Sequence, residues 1–113
     1  MKYEEIENNN NDYYIEQIDS KNKENVVKGL LGLAVYGSDF EFIQDTLVNF
    51  SKSEDENIRG IAILGFGHIA RLYGKINKDV VMPIVQNGLK DKSEIAKGQS
   101  AAALDDINFF TEC

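Results

Sequence analysis

The chain has 113 residues, a formal net charge of −7 at pH 7 and 42% hydrophobic residues. This length predicts a single domain spanning residues 1–113, with a modest hydrophobic core. The acidic balance argues against direct binding to nucleic acid or to anionic membranes, because both are polyanions that need Lys and Arg side chains to neutralise them. One cysteine, Cys113, and one histidine, His68, cannot build a disulfide framework or a His/Cys metal cage, so we expect no metal or other cofactor.

The charge is unevenly distributed along the chain. Residues 1–56 carry 13 acidic and five basic side chains, a net charge of −8, whereas residues 57–113 carry six acidic and seven basic side chains, a net charge of +1. An acidic first half predicts a basic protein partner, since complementary charge steers association. The polar, acidic N-terminus and the lack of an apolar run near ~20 residues predict a cytoplasmic protein without a signal peptide or membrane span.

The N-terminal segment, residues 1–21, is acidic and contains an asparagine-rich stretch that predicts a loop over residues 7–12. Behind this loop we expect a short helix that joins the core through four apolar side chains, Tyr13, Tyr14, Ile15 and Ile18. Over residues 22–110 apolar side chains recur at three- and four-residue spacing, which predicts a series of amphipathic helices.

Residues that favour helix caps divide this region into helices. The first helix is predicted to end at Gly37, and Ser38 and Asp39 are predicted to cap the next. That next helix places Phe40, Ile43, Leu47 and Phe50 on one face.

A long central helix follows. Ser53 to Glu56 has the S-x-x-E form of a capping box, which predicts the start of this helix, and Gly74 is expected to close it. Asp79 opens another helix with Pro83 near its first turn, and Ser93 caps the last one. The chain is therefore predicted to be all-α, with five to six helices.

A short pattern of an apolar residue, a basic residue and glycine recurs near the start of three helices. The copies are Val27-Lys28-Gly29, Ile58-Arg59-Gly60 and Ala96-Lys97-Gly98, separated by 31 and 38 residues. One further helix lies between successive copies, so the repeat predicts stacked helical hairpins, as in a short α-solenoid. Arg59 and Lys97 hold equivalent positions and are predicted to be solvated or to bridge hairpins.

The stretch GIAILGFGHIAR, residues 60–71, suggests a different function. Gly65, Gly67 and Ala70 spell G-x-G-x-x-A behind a short apolar run, the outline of a dinucleotide-binding turn. However, the first repeat copy, GLLGLAVYG, lacks this spacing, and no acidic residue ends a following strand. We therefore expect a glycine-rich packing helix, and a small nucleotide-binding enzyme is the less favoured alternative. No catalytic constellation is recognised, which predicts that the protein is not an enzyme.

The segment ENIRGIAILGFGHIARLYG, with its two partner copies, resembles HEAT-type repeats. The resemblance covers about residues 22–110 and rests on the cap-like start and on the Ile58-Arg59-x-x-Ala62 core pattern. It implies a HEAT-like α-solenoid.

In size, charge and fold type the chain also resembles immunity proteins of bacterial toxin systems, including contact-dependent growth inhibition. That resemblance implies a protein that binds and neutralises a basic toxin, such as a nuclease; a generic scaffold or adaptor is the alternative.

The candidate partner-binding residues are mostly acidic or polar. Glu41 and Asp45 share a helix face without a nearby lysine, and by the HEAT resemblance this helix lines the concave side. His68 is predicted to be a hydrogen-bonded histidine at the rim, or an interface residue if it is functional. Asp105 and Asp106 form an acid pair near a helix end. The full candidate set is Glu41, Gln44, Asp45, Asn49, Glu54, Asp55, His68, Arg71, Asp105 and Asp106.

Overall fold

The computed structural model describes residues 10–111, which form six helices and no strand. In chain order the helices are α1 Asn11–Ile18, α2 Lys23–Tyr36, α3 Phe40–Phe50, α4 Glu56–Tyr73, α5 Lys78–Gly88 and α6 Glu94–Thr111. The predicted all-α class and helix number are confirmed. The predicted loop at residues 7–12 is wrong in part, because Asn10 caps α1 and the helix already includes Asn11 and Asp12; residues 7–9 lie outside the described range.

The helices stack in two layers. The side-by-side helices α2, α4 and α6 form one layer, which α1 extends by packing on α2. The second layer contains α3, which packs mainly on α4, and α5, which packs mainly on α6. Lys23 pairs with Asp55 and Ser93 donates to Glu56, so the N-termini of α2, α4 and α6 meet at one edge. The arrangement is that of a short α-solenoid.

Side chains before each helix explain most helix starts. The carboxylate of Asp39 accepts a hydrogen bond from the Phe42 N–H, and the hydroxyl of Ser93 accepts one from the Ala96 N–H, as predicted. The predicted capping box is wrong, since Asp55 rather than Ser53 caps α4 by accepting from the N–H groups of Asn57 and Ile58. Gly74 ends α4 with a positive φ of 68°, a conformation that glycine adopts without strain.

Glycines in α4 let neighbouring helices approach closely. A methyl group at Gly67 would lie 3.1 Å from the Asp106 Cβ and 3.2 Å from the Ala103 Cα. At Gly65 it would lie 2.8 Å from a Leu47 methyl group. The predicted packing role of these glycines is confirmed, and α4 and α6 form the most extensive helix pair of the fold.

One detail of α5 differs from the prediction. Pro83 is the sixth residue of this helix and not part of its first turn. A proline there has no N–H to donate to the carbonyl four residues earlier, that of Asp79. Pro83 is exposed, and α5 continues past it to Gly88.

Candidate partner-binding surface

The outer face of α3 carries three exposed polar side chains in one line. Glu41, Asp45 and Asn49 are spaced four residues apart, so they lie on one side of the helix. The opposite side buries Ile43 and Leu47 completely against the core. We call Glu41, Asp45 and Asn49 the α3 polar face.

This face has no internal counter-charge. Helix α3 contains no Lys or Arg, and within residues 10–111 neither Glu41 nor Asp45 takes part in an ion pair. Like charges at this spacing destabilise a helix by about 0.2–0.5 kcal/mol. Glu41 lies in the first turn of α3, where an acidic side chain favours the helix, but no cation of the described chain pairs with either carboxylate. A cationic group bound across the two carboxylates would relieve their repulsion.

Gln44 does not belong to this face, which corrects one candidate. Only 3% of the residue is exposed, and its side-chain oxygen accepts a hydrogen bond of 2.9 Å from the Asn77 N–H. Asn77 is the N-cap of α5, and its own side chain makes no cap bond. Gln44 therefore joins α3 to the start of α5 and is unavailable to a partner.

Asp55 is also engaged inside the fold. Besides capping α4, its carboxylate lies 2.6 Å from the Lys23 ammonium at the start of α2. The hydrogen bond from Lys23, together with the N–H bonds from Ile58 and Asn57, lowers the pKa of Asp55 below its usual value. The prediction that Asp55 is free to face a partner is wrong. Its neighbour Glu54 remains exposed.

Arg59 bridges two parts of the helical stack. The sequence predicted that Arg59 is either solvated or bridges hairpins, and the structure shows the bridging role. Its guanidinium donates to both carboxylate oxygens of Asp91, at 2.8 and 2.9 Å, and to the backbone carbonyls of Ser53 and Glu54. The Arg59 and Asp91 side chains are only 17% and 13% exposed. Donation from Arg59, followed by that of the Ser93 N–H, lowers the pKa of Asp91.

A groove runs between the starts of α4 and α6. Its charged lining includes Lys23, Asp55, Glu56 and Arg59. Each of these groups already has a partner in the fold: Lys23 pairs with Asp55, Glu56 accepts from Ser93, and Arg59 binds Asp91. These four charged groups therefore hold the groove together, while Glu54, Asn57 and Lys92 also line it.

His68, Arg71 and Asp106 come together where α4 crosses α6. A guanidinium nitrogen of Arg71 lies 3.4 Å from the His68 Nδ1. Burial, reinforced by the Arg71 charge and partly opposed by the Asp106 carboxylate, lowers the pKa of His68. The histidine is half-buried, which agrees with a rim position. Asp106 covers Gly67 and is partly buried.

Asp105 lies beside this group but points away from α4 and is exposed. The acid pair lies in the last third of α6, which continues for five residues beyond Asp106 to Thr111. An unfavourable interaction with the helix dipole, which is confined to the last turn, therefore does not apply to the pair.

A second acidic line was missed in the sequence. Asp12 and Glu16 are exposed on the outer side of α1, and Asp19, the residue that follows the helix, is exposed in line with them, opposite the buried Tyr14 and Ile18. The four- and three-residue spacing of these acids would have revealed it.

The dinucleotide-binding interpretation does not fit the geometry. Gly65 and Gly67 are buried in the middle of the continuous helix α4, with Leu47 packed on the first and Asp106 on the second. A pyrophosphate needs a strand, a turn and exposed N–H groups at a helix start.

In the described range, no three His, Cys, Asp or Glu side chains are grouped to hold a metal ion. Of the helices between residues 10 and 111, none is both long and apolar enough to cross a membrane.

Comparison of the chain with protein-family models, with curated proteins and with solved structures gave no match.

Proposed function

We propose that this protein is an immunity protein that binds a basic toxin through the α3 polar face and covers the toxin's active or substrate-binding surface. The observation that carries the proposal is the pair Glu41 and Asp45. These two carboxylates are exposed, adjacent and unpaired within the described chain. A basic surface would supply the counter-charges that the fold does not provide.

The rest of the chain supports a role in binding rather than in chemistry. Of the titratable groups with shifted pKa values, Asp55, Arg59 and Asp91 are shifted by structural ion pairs or caps. A positioned acid–base pair with room for a substrate is not found among residues 10–111. The stacked helical hairpins are the fold class that the HEAT-like resemblance implies, and the cytoplasm is where such a protein would meet a toxin.

Co-expression tests this function. The protein encoded by the gene next to this chain's gene is produced with and without this chain, and cell growth is recorded. We expect the neighbouring protein to be toxic alone and harmless with this chain, and the purified pair to dissociate as salt is raised, because exposed charge pairs are screened.

A harmless neighbouring protein that nevertheless binds the α3 polar face would favour the alternative, a scaffold or adaptor. A toxic neighbour that this chain neither binds nor neutralises would contradict the immunity proposal.

A further inference from the structure

His68 shares its surroundings with two charged side chains where α4 crosses α6. The histidine is half-buried on α4, and Arg71 is exposed one turn further along the same helix. Asp106, on α6, is partly buried above Gly67, where a methyl group would lie 3.0 Å from its carboxylate oxygen. The absence of a side chain at Gly67 therefore lets an α6 carboxylate lie against α4 beside His68.

The contact between Arg71 and His68 fixes the form of the imidazole. A guanidinium nitrogen lies 3.4 Å from the His68 Nδ1, and a guanidinium can only donate hydrogen bonds. The Nδ1 must therefore accept, which leaves the ring proton on Nε2. A protonated imidazole carries a hydrogen on both nitrogens and has no acceptor. The contact consequently exists only while His68 is neutral.

Two charges of opposite sign act on this ring from different helices. Arg71 acts from α4 itself and Asp106 acts from α6. Among residues 10–111, no charged group of α2, α3 or α5, which also pack on α4, acts on the ring. A proton added to His68 is thus repelled by the group that the neutral ring binds and attracted by the carboxylate of the neighbouring helix.

We propose that His68 is a pH-sensitive latch at the α4–α6 contact. In the neutral form the imidazole accepts the hydrogen bond from Arg71 and occupies its half-buried site without a charge. When the imidazole takes up a proton, the bond from Arg71 is lost and two cations lie side by side on α4. Asp106 then becomes the only counter-charge of the imidazolium within the described chain. The latch uses α4 and α6 and does not depend on the proposed binding through α3.

Burial decides the direction in which the latch works. Burial above all, and then the Arg71 charge, lowers the pKa of His68 below its ordinary value of 6.5, and Asp106 opposes this only in part. The unfolded chain therefore takes up the proton at a higher pH than the folded chain does. The stability that depends on neutral His68 is complete above about pH 6.5 and is lost as the pH falls from there through the lowered pKa. Mild acid therefore opens the latch.

NMR of the isotope-labelled imidazole nitrogens tests the latch directly, because His68 is the only histidine of the chain. The parent is expected to carry its proton on Nε2 in weak base and to titrate below pH 6.5. Arg71→Ala is expected to raise the pKa of His68 and to let both neutral forms appear, since the donor and the charge are gone. A parent with its proton on Nδ1, or one that titrates at or above pH 6.5, would overturn the proposal.

Two neighbouring acids give a matched control for the α6 side of the latch. Asp106→Asn is expected to lower the pKa of His68 further, because it removes the one attractive charge. Asp105→Asn removes the same charge from an exposed position and is expected to leave the pKa of His68 unchanged. Equal shifts in the two variants would show that Asp106 is not the counter-charge, and the proposal would be wrong.

Urea denaturation connects the proton to the fold. Between about pH 7 and about pH 5 the midpoint of the parent is expected to fall, and the midpoint of His68→Gln, whose side chain stays neutral, is expected to fall less. Ordinary carboxylates remain ionised over most of this range, so they contribute little to the difference. An equal fall in both proteins would contradict a latch that acid opens.

Discussion

Acidic side chains have different roles at two regions of this molecule. At the edge where α2, α4 and α6 begin, Asp55 and Asp91 hold Lys23 and Arg59 and join the helices. On the α3 polar face, Glu41 and Asp45 have no partner within the described chain. The first pair joins elements of the fold, and the second is exposed and makes no ion pair within the described chain. Net charge alone therefore does not identify a binding surface. The acidic side chains that pair with cations inside the fold must first be subtracted.

The largest expected effect concerns the close packing of α4 on α6 at Gly67, away from this edge. Gly67→Leu places a branched side chain between α4 and α6, where even a methyl group would lie 3.1 Å from the Asp106 Cβ. We expect a loss of about 3 kcal/mol or more in the free energy of unfolding, measured by urea denaturation, because overpacked cores must shift backbone.

The matched control for this variant is Gly98→Ala. Gly98 lies inside α6 with open space around it. Alanine there is expected to stabilise the protein by about 0.5–1 kcal/mol, since it restores helix propensity without a clash. Equal effects of the two variants would show that close helix packing does not explain the glycines of α4.

The next effect concerns the Arg59–Asp91 bridge. Arg59→Ala leaves Asp91 partly buried without its cation and is expected to cost about 2–3 kcal/mol of unfolding free energy, less than a fully buried pair. Lys97→Ala, at the equivalent repeat position, removes an exposed side chain whose only ion pair is with Glu94 at 3.6 Å within residues 10–111. It is expected to cost less than about 0.5 kcal/mol. Similar costs for the two substitutions would remove the distinction between bridging and solvated charges.

A smaller effect depends on pH. The folded protein holds the pKa of Asp91 below its unfolded value, so the carboxylate stabilises the fold above about pH 4 and this stabilisation is lost as the pH falls through the lowered pKa. Asp91→Asn is expected to be less stable than the parent at pH 7, with the difference shrinking in acid. Denaturation at several pH values measures this. A difference that stays constant down to pH 2 or so would contradict the assigned role of Asp91.

Local sequence patterns predicted the helices and several of their ends. Periodicity located the core-facing sides, and Asp39, Gly74 and Ser93 marked helix boundaries, because these features depend on neighbours within four residues. Asp55 was not recognised as the cap of α4, since Ser53 and Asp55 are both competent caps and only the path of the chain selects between them.

Contacts across the fold were harder to predict. Asp91 lies 32 residues from Arg59, and no local pattern links them. The burial of Gln44 did have a signal, because positions 40, 43, 44 and 47 form one helical face. Its polar side chain suggested a surface residue, whereas tertiary structure uses it to join α3 to α5.

Under the proposed function, the position of the carboxylates on α3, and not net charge, determines the affinity for the partner. Calorimetric titration with the protein encoded by the neighbouring gene tests this by comparing two variants with the same change in net charge, Glu41→Lys/Asp45→Lys and Asp79→Lys/Glu94→Lys. The first is expected to keep its unfolding free energy within about 0.5 kcal/mol of the parent and to bind at least about tenfold more weakly. The second is expected to bind much like the parent. Equal affinities for the two variants would contradict the account.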